Sequence, residues 1–309
     1  MRKQITAYIS LALAMSIVGS SIVVGKLMVQ SIPVFLSSGL RFGLASIILI
    51  TLLFVFEKGF PTITRKDLCI LIIQSFAGVF LFSICLLYGV QFTTGTESGI
   101  ITSTTPMAIG ILSVILLKEK ISKNVVIGLL LAVLGLISIN LFGEGNTLEG
   151  RFPLLGNSLI IVAVIGEALF AILAKLLSPN ITPLAISTFV TLIGFVFFLP
   201  FSIYEGINFD FTYPTLLEWS YVLYYAIVVT VLAFYLWYNG VLKVPASISA
   251  VFTAVIPVVT IILSYIILQE KITLAHFIGI SLVITGIFAS VIMKPKDLPT
   301  SNNFTDVNL

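Results

Sequence analysis

Residues 105–135 read TPMAIGILSVILLKEKISKNVVIGLLLAVLG, and residues 256–286 read IPVVTIILSYIILQEKITLAHFIGISLVITG. Set 151 positions apart, the longer segments Gly89–Gly135 and Gly240–Gly286 overlay without a gap, with 17 of 47 positions identical. Pro106 falls on Pro257, Glu119-Lys120-Ile121 on Glu270-Lys271-Ile272, Gly128 on Gly279 and Gly135 on Gly286. Self-similarity of this extent marks an internal duplication. Lys26 and Lys175 close the first apolar run of each half at a slightly different offset.

Composition says what has been duplicated. The chain has 309 residues, 59 % of them apolar and only 9 % charged, with a mean hydropathy of +1.18. A soluble globule carries about 25 % charged residues to wet its surface, and disorder needs low hydrophobicity and high charge. Both classes are excluded, which leaves a polytopic membrane protein. A spanning helix takes about 20 apolar residues. Ten runs separate: Ile5–Val24, Val34–Phe56, Leu68–Tyr88, Ser98–Leu117, Asn124–Leu141, Leu154–Ala174, Pro183–Ile203, Leu217–Tyr238, Ala246–Leu268 and Leu274–Met293. No alternation of period two supports a β-barrel. The first run has a basic start, Arg2 and Lys3, but its long apolar core lacks a clear cleavage site, so it reads as a retained helix.

Basic residues set the orientation. With the N-terminus in the cytoplasm, that side receives Arg2, Lys3, Lys58, Arg65, Lys66, Lys118, Lys120, Lys123, Lys175, Lys243, Lys294 and Lys296, and the outside only Lys26, Arg151 and Lys271. Both termini are then cytoplasmic, in a cell membrane. Five runs per half is an odd number, so the second half must be inverted relative to the first. The expected fold is all-α, with ten transmembrane helices in two inverted five-helix repeats. They occupy residues 1–142 and 143–293 and are followed by a polar tail, 294–309. Inverted repeats suit alternating access, because two similar halves give two similar end states. A duplicated membrane scaffold without transport is the alternative.

The tandem segments quoted above, with SGLRFGLASIILI in the second run, resemble the drug/metabolite transporter superfamily, specifically the EamA-type carriers. The resemblance extends from about Ile5 to Met293. It implies ten helices, cytoplasmic termini and a central cavity bordered by helices 1, 3, 4, 6, 8 and 9, with helices 5 and 10 peripheral. It leaves the substrate open, because members of the superfamily move amino acids, sugars, nucleotides, cofactors and drugs.

A few polar residues inside the runs are candidates for the pathway of substrate or protons. Glu167 lies about 20 Å along its helix at 1.5 Å per residue, where a carboxylate is costly unless protonated, paired or hydrated and usually faces a cavity. A buried carboxyl bonded to a neighbouring helix is the structural alternative. Arg41, about 10 Å into the second helix, could pair with a carboxylate, bind an anionic substrate or snorkel outward; the resemblance implies a structural role near a helix interface. Pro106 and Pro257 each disturb a helix, and the hydroxyls of Thr102, Ser103, Thr104 and Thr105 can satisfy a freed carbonyl. Tyr224 lies deep enough to stack against a substrate or donate its hydroxyl, whereas Tyr235, Trp237 and Tyr238, near the cytoplasmic interface, suit an aromatic belt or packing between helices. Glu97 opens the fourth helix, as a dipole cap or part of an outer vestibule; relatives implied by the resemblance carry a small residue there.

Other chemistries find no support. No GxxxxGK[ST] motif is present, so ATP-driven transport by this chain is not expected. One histidine and two cysteines, Cys69 and Cys85, give no metal site or catalytic constellation, and the lysines of 118–123 read as a topology signal rather than a nucleic-acid site. The expectation is therefore a secondary carrier and not an enzyme. It would have no cofactor, with the bilayer, a small-molecule substrate and protons as its partners; the oligomeric state is left open. Export of amino acids or related metabolites follows from the resemblance. Multidrug efflux is the second reading and a non-transporting scaffold the third.

Overall fold

The computed structural model describes residues 2–93, 95–142, 152–269 and 273–292, and every regular element among them is helical. Helix α1 is Arg2–Met28 and α2 is Val34–Glu57. Helix α3 runs from Arg65–Ser75 through a π-helical turn, Phe76–Leu81, into Phe82–Phe92. Helix α4 is in two pieces, Gly95–Thr102 and Thr105–Leu117, and α5 is Lys123–Phe142. In the second half, α6 is Pro153–Leu173 and α7 is Pro183–Ile207. Helix α8 joins Leu216–Tyr224, a π-helical turn Tyr225–Leu232 and Ala233–Val241; α9 is split into Ala246–Phe252 and Val255–Leu268; α10 is Leu274–Ile292. Nine of these helices, counted among the described residues, are long and apolar enough to cross a membrane, and α5 contributes a shorter apolar stretch, Lys123–Ile139.

The sequence makes helices because apolar runs of this length must satisfy their own backbone groups in lipid. Apolar side chains cover both the buried and the exposed faces. In α2, Phe42, Leu49 and Leu53 are buried while Ile47, Phe54 and Val55 are exposed. Helix ends are set by local chemistry. Thr64 and Asp67 form a reciprocal capping box at the start of α3, and Thr215 and Glu218 form its counterpart at the start of α8, 151 positions on. Lys118 and Gln269, again 151 apart, close α4 and α9 in the left-handed conformation, with φ of 54° and 56°.

The duplication extends to packing. Helix α5 lies against α10, where Gly128 faces Gly286 and Gly135 faces Gly279. A Cβ on Gly128 would sit 2.6 Å from the Gly286 carbonyl oxygen, and one on Gly279 would sit 2.6 Å from that of Gly135. Small residues let membrane helices approach this closely. Helix α2 pairs with α7 in antiparallel fashion: Thr182 Oγ1 at the start of α7 donates to Glu57 at the end of α2 (2.6 Å), and the Leu36 amide near the start of α2 donates to Glu205 near the end of α7 (2.7 Å). A second matched pair bonds the α3 and α8 caps to the opposite halves, with Ser178 donating to Asp67 and Ser31 donating to Glu218. These contacts define two ends of the bundle. One, near Glu57, Asp67, Glu119 and Lys175, is rich in lysine; the other lies near Ser31, Glu205 and Glu218.

Candidate functional site

The break in α4 falls just before Pro106. Ser103 and Thr104 form the turn, and Pro106 sits in the first turn of the second piece, where its missing N–H removes no internal bond. Hydroxyls take up the carbonyls around the break: Thr102 Oγ1 donates to Ser98 O (2.9 Å), Ser103 Oγ to Gly99 O (2.6 Å) and Thr104 Oγ1 to Ile101 O (2.6 Å). Helix α9 breaks at the matching place, Thr253-Ala254, with Thr253 Oγ1 on Ala250 O (2.7 Å) and Pro257 early in the second piece. The sequence suggested mid-helix kinks at the two prolines. The chain instead ends one helix and begins another, and each proline helps to start the second piece.

Thr105, first residue of the second piece of α4, donates through Oγ1 to Glu167 Oε2 at 3.0 Å. Glu167 is half-buried on α6. Its carboxyl therefore faces the start of a half-helix, where unpaired amides and the helix dipole favour negative charge. Beside it, Gly166 lets α6 lie against the Ala77 carbonyl in the π-helical turn of α3, 2.4 Å from where a Cβ would stand. The structure thus brings Glu167, Thr105 and the α4 break together, with the π turn of α3 alongside.

Tyr224 and Arg41 belong to a second group, towards the end away from the lysines. Tyr224 Oη pairs with Ser20 Oγ of α1, 2.5 Å apart. Arg41 stacks its guanidinium 4.4 Å over the Phe42 ring and 5.3 Å from that of Tyr225. Its Nε is buried without a hydrogen-bond partner, and among the described residues no carboxylate pairs with it. Tyr225 in turn donates to Ser21 O. The Glu97 side chain lies outside the described residues.

The remaining aromatic and polar residues have defined places. Of the belt and packing roles open to Trp237 and Tyr238, the structure shows packing: they are 4 % and 0 % exposed, and Tyr238 packs on Phe170 and Phe234. Asn239 Nδ2 donates to Ser10 Oγ of α1 (3.1 Å). Lys175, just past the end of α6, donates to Val244 O. Cys69 is exposed and Cys85 is buried. An open pocket of about 350 Å³ lies between the α1–α2 and α7–α8 connections, not beside Glu167. There Asp210 is held below the ordinary carboxylate range by hydrogen bonds from the Thr212 hydroxyl and amide.

Sequence reading also passed over Gln74. Gln74 Nε2 donates to Phe170 O (2.8 Å) just before the π turn of α3, and Tyr225, 151 positions on, makes the matching bond to α1 at the π turn of α8. The repeat register carried that signal, but glutamine and tyrosine are too dissimilar to be recognised as equivalents in sequence.

Comparison with known proteins agrees with this architecture. An uncharacterized transporter of Bacillus subtilis (strain 168), YetK, is 66 % identical over 295 residues, covering 96 % of this chain and 89 % of that protein. A second from the same organism, YyaM, is 26 % identical over 84 % of this chain and 86 % of its own length. A crystal structure at 14 % identity matches the fold with a TM-score of 0.74, covering 94 % of this chain and 97 % of that one. The model of the EamA-like transporter family matches twice, at residues 5–141 and 154–292. With both halves matched and the helices packed as matched pairs, this multi-pass membrane protein belongs to the EamA-like transporter family.

Proposed function

We propose that the protein is a secondary active transporter of the cell membrane. It would move small metabolites, amino acids or related compounds in the export direction, by alternating access between two inverted five-helix repeats. Ten spans with cytoplasmic termini put the lysine-rich end inside, as the charge bias requires. The antiparallel pairing of α2 with α7 supports the inversion, since these are equivalent helices of the two halves. Rocking of one repeat against the other about a central site would then give the two end states.

The observation that carries the proposal is the Glu167–Thr105 pair at the break in α4. Discontinuous helices and an intramembrane carboxylate mark substrate and ion sites in transporters. Glu167 either exchanges protons with the pathway or contacts a substrate cation. The test uses purified protein in liposomes and radiolabelled amino acids, with sugars, nucleosides and cationic drugs as further panels. Saturable flux of amino acids above protein-free liposomes is expected. Glu167→Gln should abolish its pH dependence if the carboxyl carries protons, or raise KM with pH dependence retained if it binds an ammonium group. Flux confined to the drugs would replace the metabolite assignment with multidrug efflux. Absence of flux in every panel would overturn the transporter reading.

A further inference from the structure

Arg41 is a charge inside an apolar helix for which the chain supplies no counter-ion. Its guanidinium carries five N–H donors. Among the described residues no carboxylate pairs with it, and Nε is buried with no hydrogen-bond partner. Ser37 and Ala45, one turn to either side, are 2 % and 0 % exposed, whereas Ile47, Phe54 and Val55 form the exposed apolar face of α2. Residues four apart share a helix face, so Arg41 belongs to the packed side of α2, away from lipid. Glu167 is not its partner: at 1.5 Å per residue, Arg41 lies about 10 Å into α2 and Glu167 about 20 Å into α6 from the same end of the bundle.

The surroundings hold the guanidinium in place and leave its donors open. It lies 4.4 Å over the Phe42 ring and 5.3 Å from that of Tyr225. Phe42 is itself stacked on Phe198 of α7, 5.6 Å between centroids. Tyr225, in the π-helical turn of α8, is fixed from α1: it donates to Ser21 O and fills the gap left by Gly25, where a Cβ would stand 2.4 Å from its hydroxyl. Ring faces attract a cation but do not satisfy its N–H donors as an oxygen acceptor would. An arginine within a membrane is costly unless it finds an acceptor. Its planar fork matches the paired oxygens of a carboxylate or a phosphate.

We propose that Arg41 binds an oxyanion that the chain does not supply, the carboxylate of the solute. The proposal rests on the transporter reading above and narrows it: the substrate carries a carboxylate, and an amino acid is preferred to the amine that lacks only that group. The phosphate of a lipid headgroup offers the same chemistry, so the experiment measures both sources. Purified full-length protein in dodecyl maltoside is dialysed to equilibrium against radiolabelled L-amino acids, one at a time, and against the decarboxylated amine of each. Lipid phosphorus retained by the same samples is measured after washing with detergent.

At least one amino acid should bind saturably, and about tenfold or more tightly than its amine. Arg41→Gln should weaken that binding by about tenfold or more, the loss expected for charge-assisted bonds, and leave binding of the amine within about twofold. Arg41→Lys, which keeps the charge without the planar fork, should lose part of the affinity and serves if the glutamine variant does not fold. Unchanged amino-acid binding in the variants, an equal loss for amino acid and amine, or no amino-acid binding to the wild type would overturn the site. Retained lipid phosphorus that falls in Arg41→Gln while amino-acid binding is unchanged would overturn the solute assignment in favour of a lipid headgroup. Binding that needs Arg41, in protein that gives no flux in liposomes, would overturn the transporter reading alone. Saturable amino-acid flux that Arg41→Gln leaves unchanged would overturn the anion site alone.

Discussion

Glu167 and Asp67 are both carboxylates inside apolar helices, yet their surroundings assign them different work. Asp67 is 1 % exposed and saturated with donors: it closes the Thr64 cap and takes the Ser178 amide and hydroxyl at 2.9 and 2.8 Å. Glu167 has one side-chain partner, Thr105, and remains half-buried. A satisfied acid is structural; an acid with spare acceptor capacity in reach of a pathway can exchange partners. Asp67→Ala should therefore lower stability by about 2 kcal/mol, since a cap and several bonds to a charged group are lost and donors are left buried. Thermal unfolding in detergent should show a fall in Tm, with a smaller one for Ser178→Ala, which loses only the hydroxyl bond. Glu167→Gln should leave Tm close to wild type; a drop as large as that of Asp67→Ala would reassign Glu167 to the frame.

Breaks and close approaches decide what the elements do. Pro106 and Pro257 lie in the first turn of a half-helix, so alanine removes no hydrogen bond and costs little stability. It does restore an N–H that could let the two pieces fuse into one helix. Pro106→Ala and Pro257→Ala should thus change transport rate by several-fold while membrane abundance stays near wild type. Kinetics equal to wild type in both would mean that the breaks are held by Thr102–Thr105 and Thr253 alone. The α5–α10 contact should behave in the opposite way. A Cβ at Gly128 meets the Gly286 carbonyl at 2.6 Å and the Ser290 hydroxyl at 1.9 Å, and the Gly286 carbonyl is backbone that cannot rotate away. Gly128→Val should destabilise the protein by about 1–3 kcal/mol, as overpacking does, and detergent-solubilised protein should aggregate at lower temperature. Wild-type Tm in that variant would show that the two helices can separate freely.

At the scale of the whole molecule, the positive bias predicts which end faces the cytoplasm. In a cysteine-free background, an impermeant thiol reagent applied to intact cells should label Asn208→Cys and miss Thr62→Cys, and inside-out vesicles should reverse the pattern. Both positions are exposed in connecting segments at opposite ends. Labelling of both residues from one side would remove the inverted arrangement and, with it, the basis for alternating access.

Sequence by itself determined that this chain is a bundle of membrane helices built twice, because apolar length and repeat spacing are local quantities that lipid converts directly into structure. It also pointed to Glu167, since charge inside an apolar run is visible without knowing any neighbour. Tertiary structure decided which residues the carboxyl meets. Thr105 was one of four adjacent hydroxyls in sequence, and only the α4–α6 contact selects it while its neighbours turn back to their own helix. The same holds for Gln74 with Phe170 and for Glu119 with Ala246 and Ser247, whose partners lie 96, 127 and 128 residues away. For Trp237 and Tyr238 the sequence left belt and packing open, because an amphipathic ring has the same composition in a belt or a core, and only packing between helices tells the two apart.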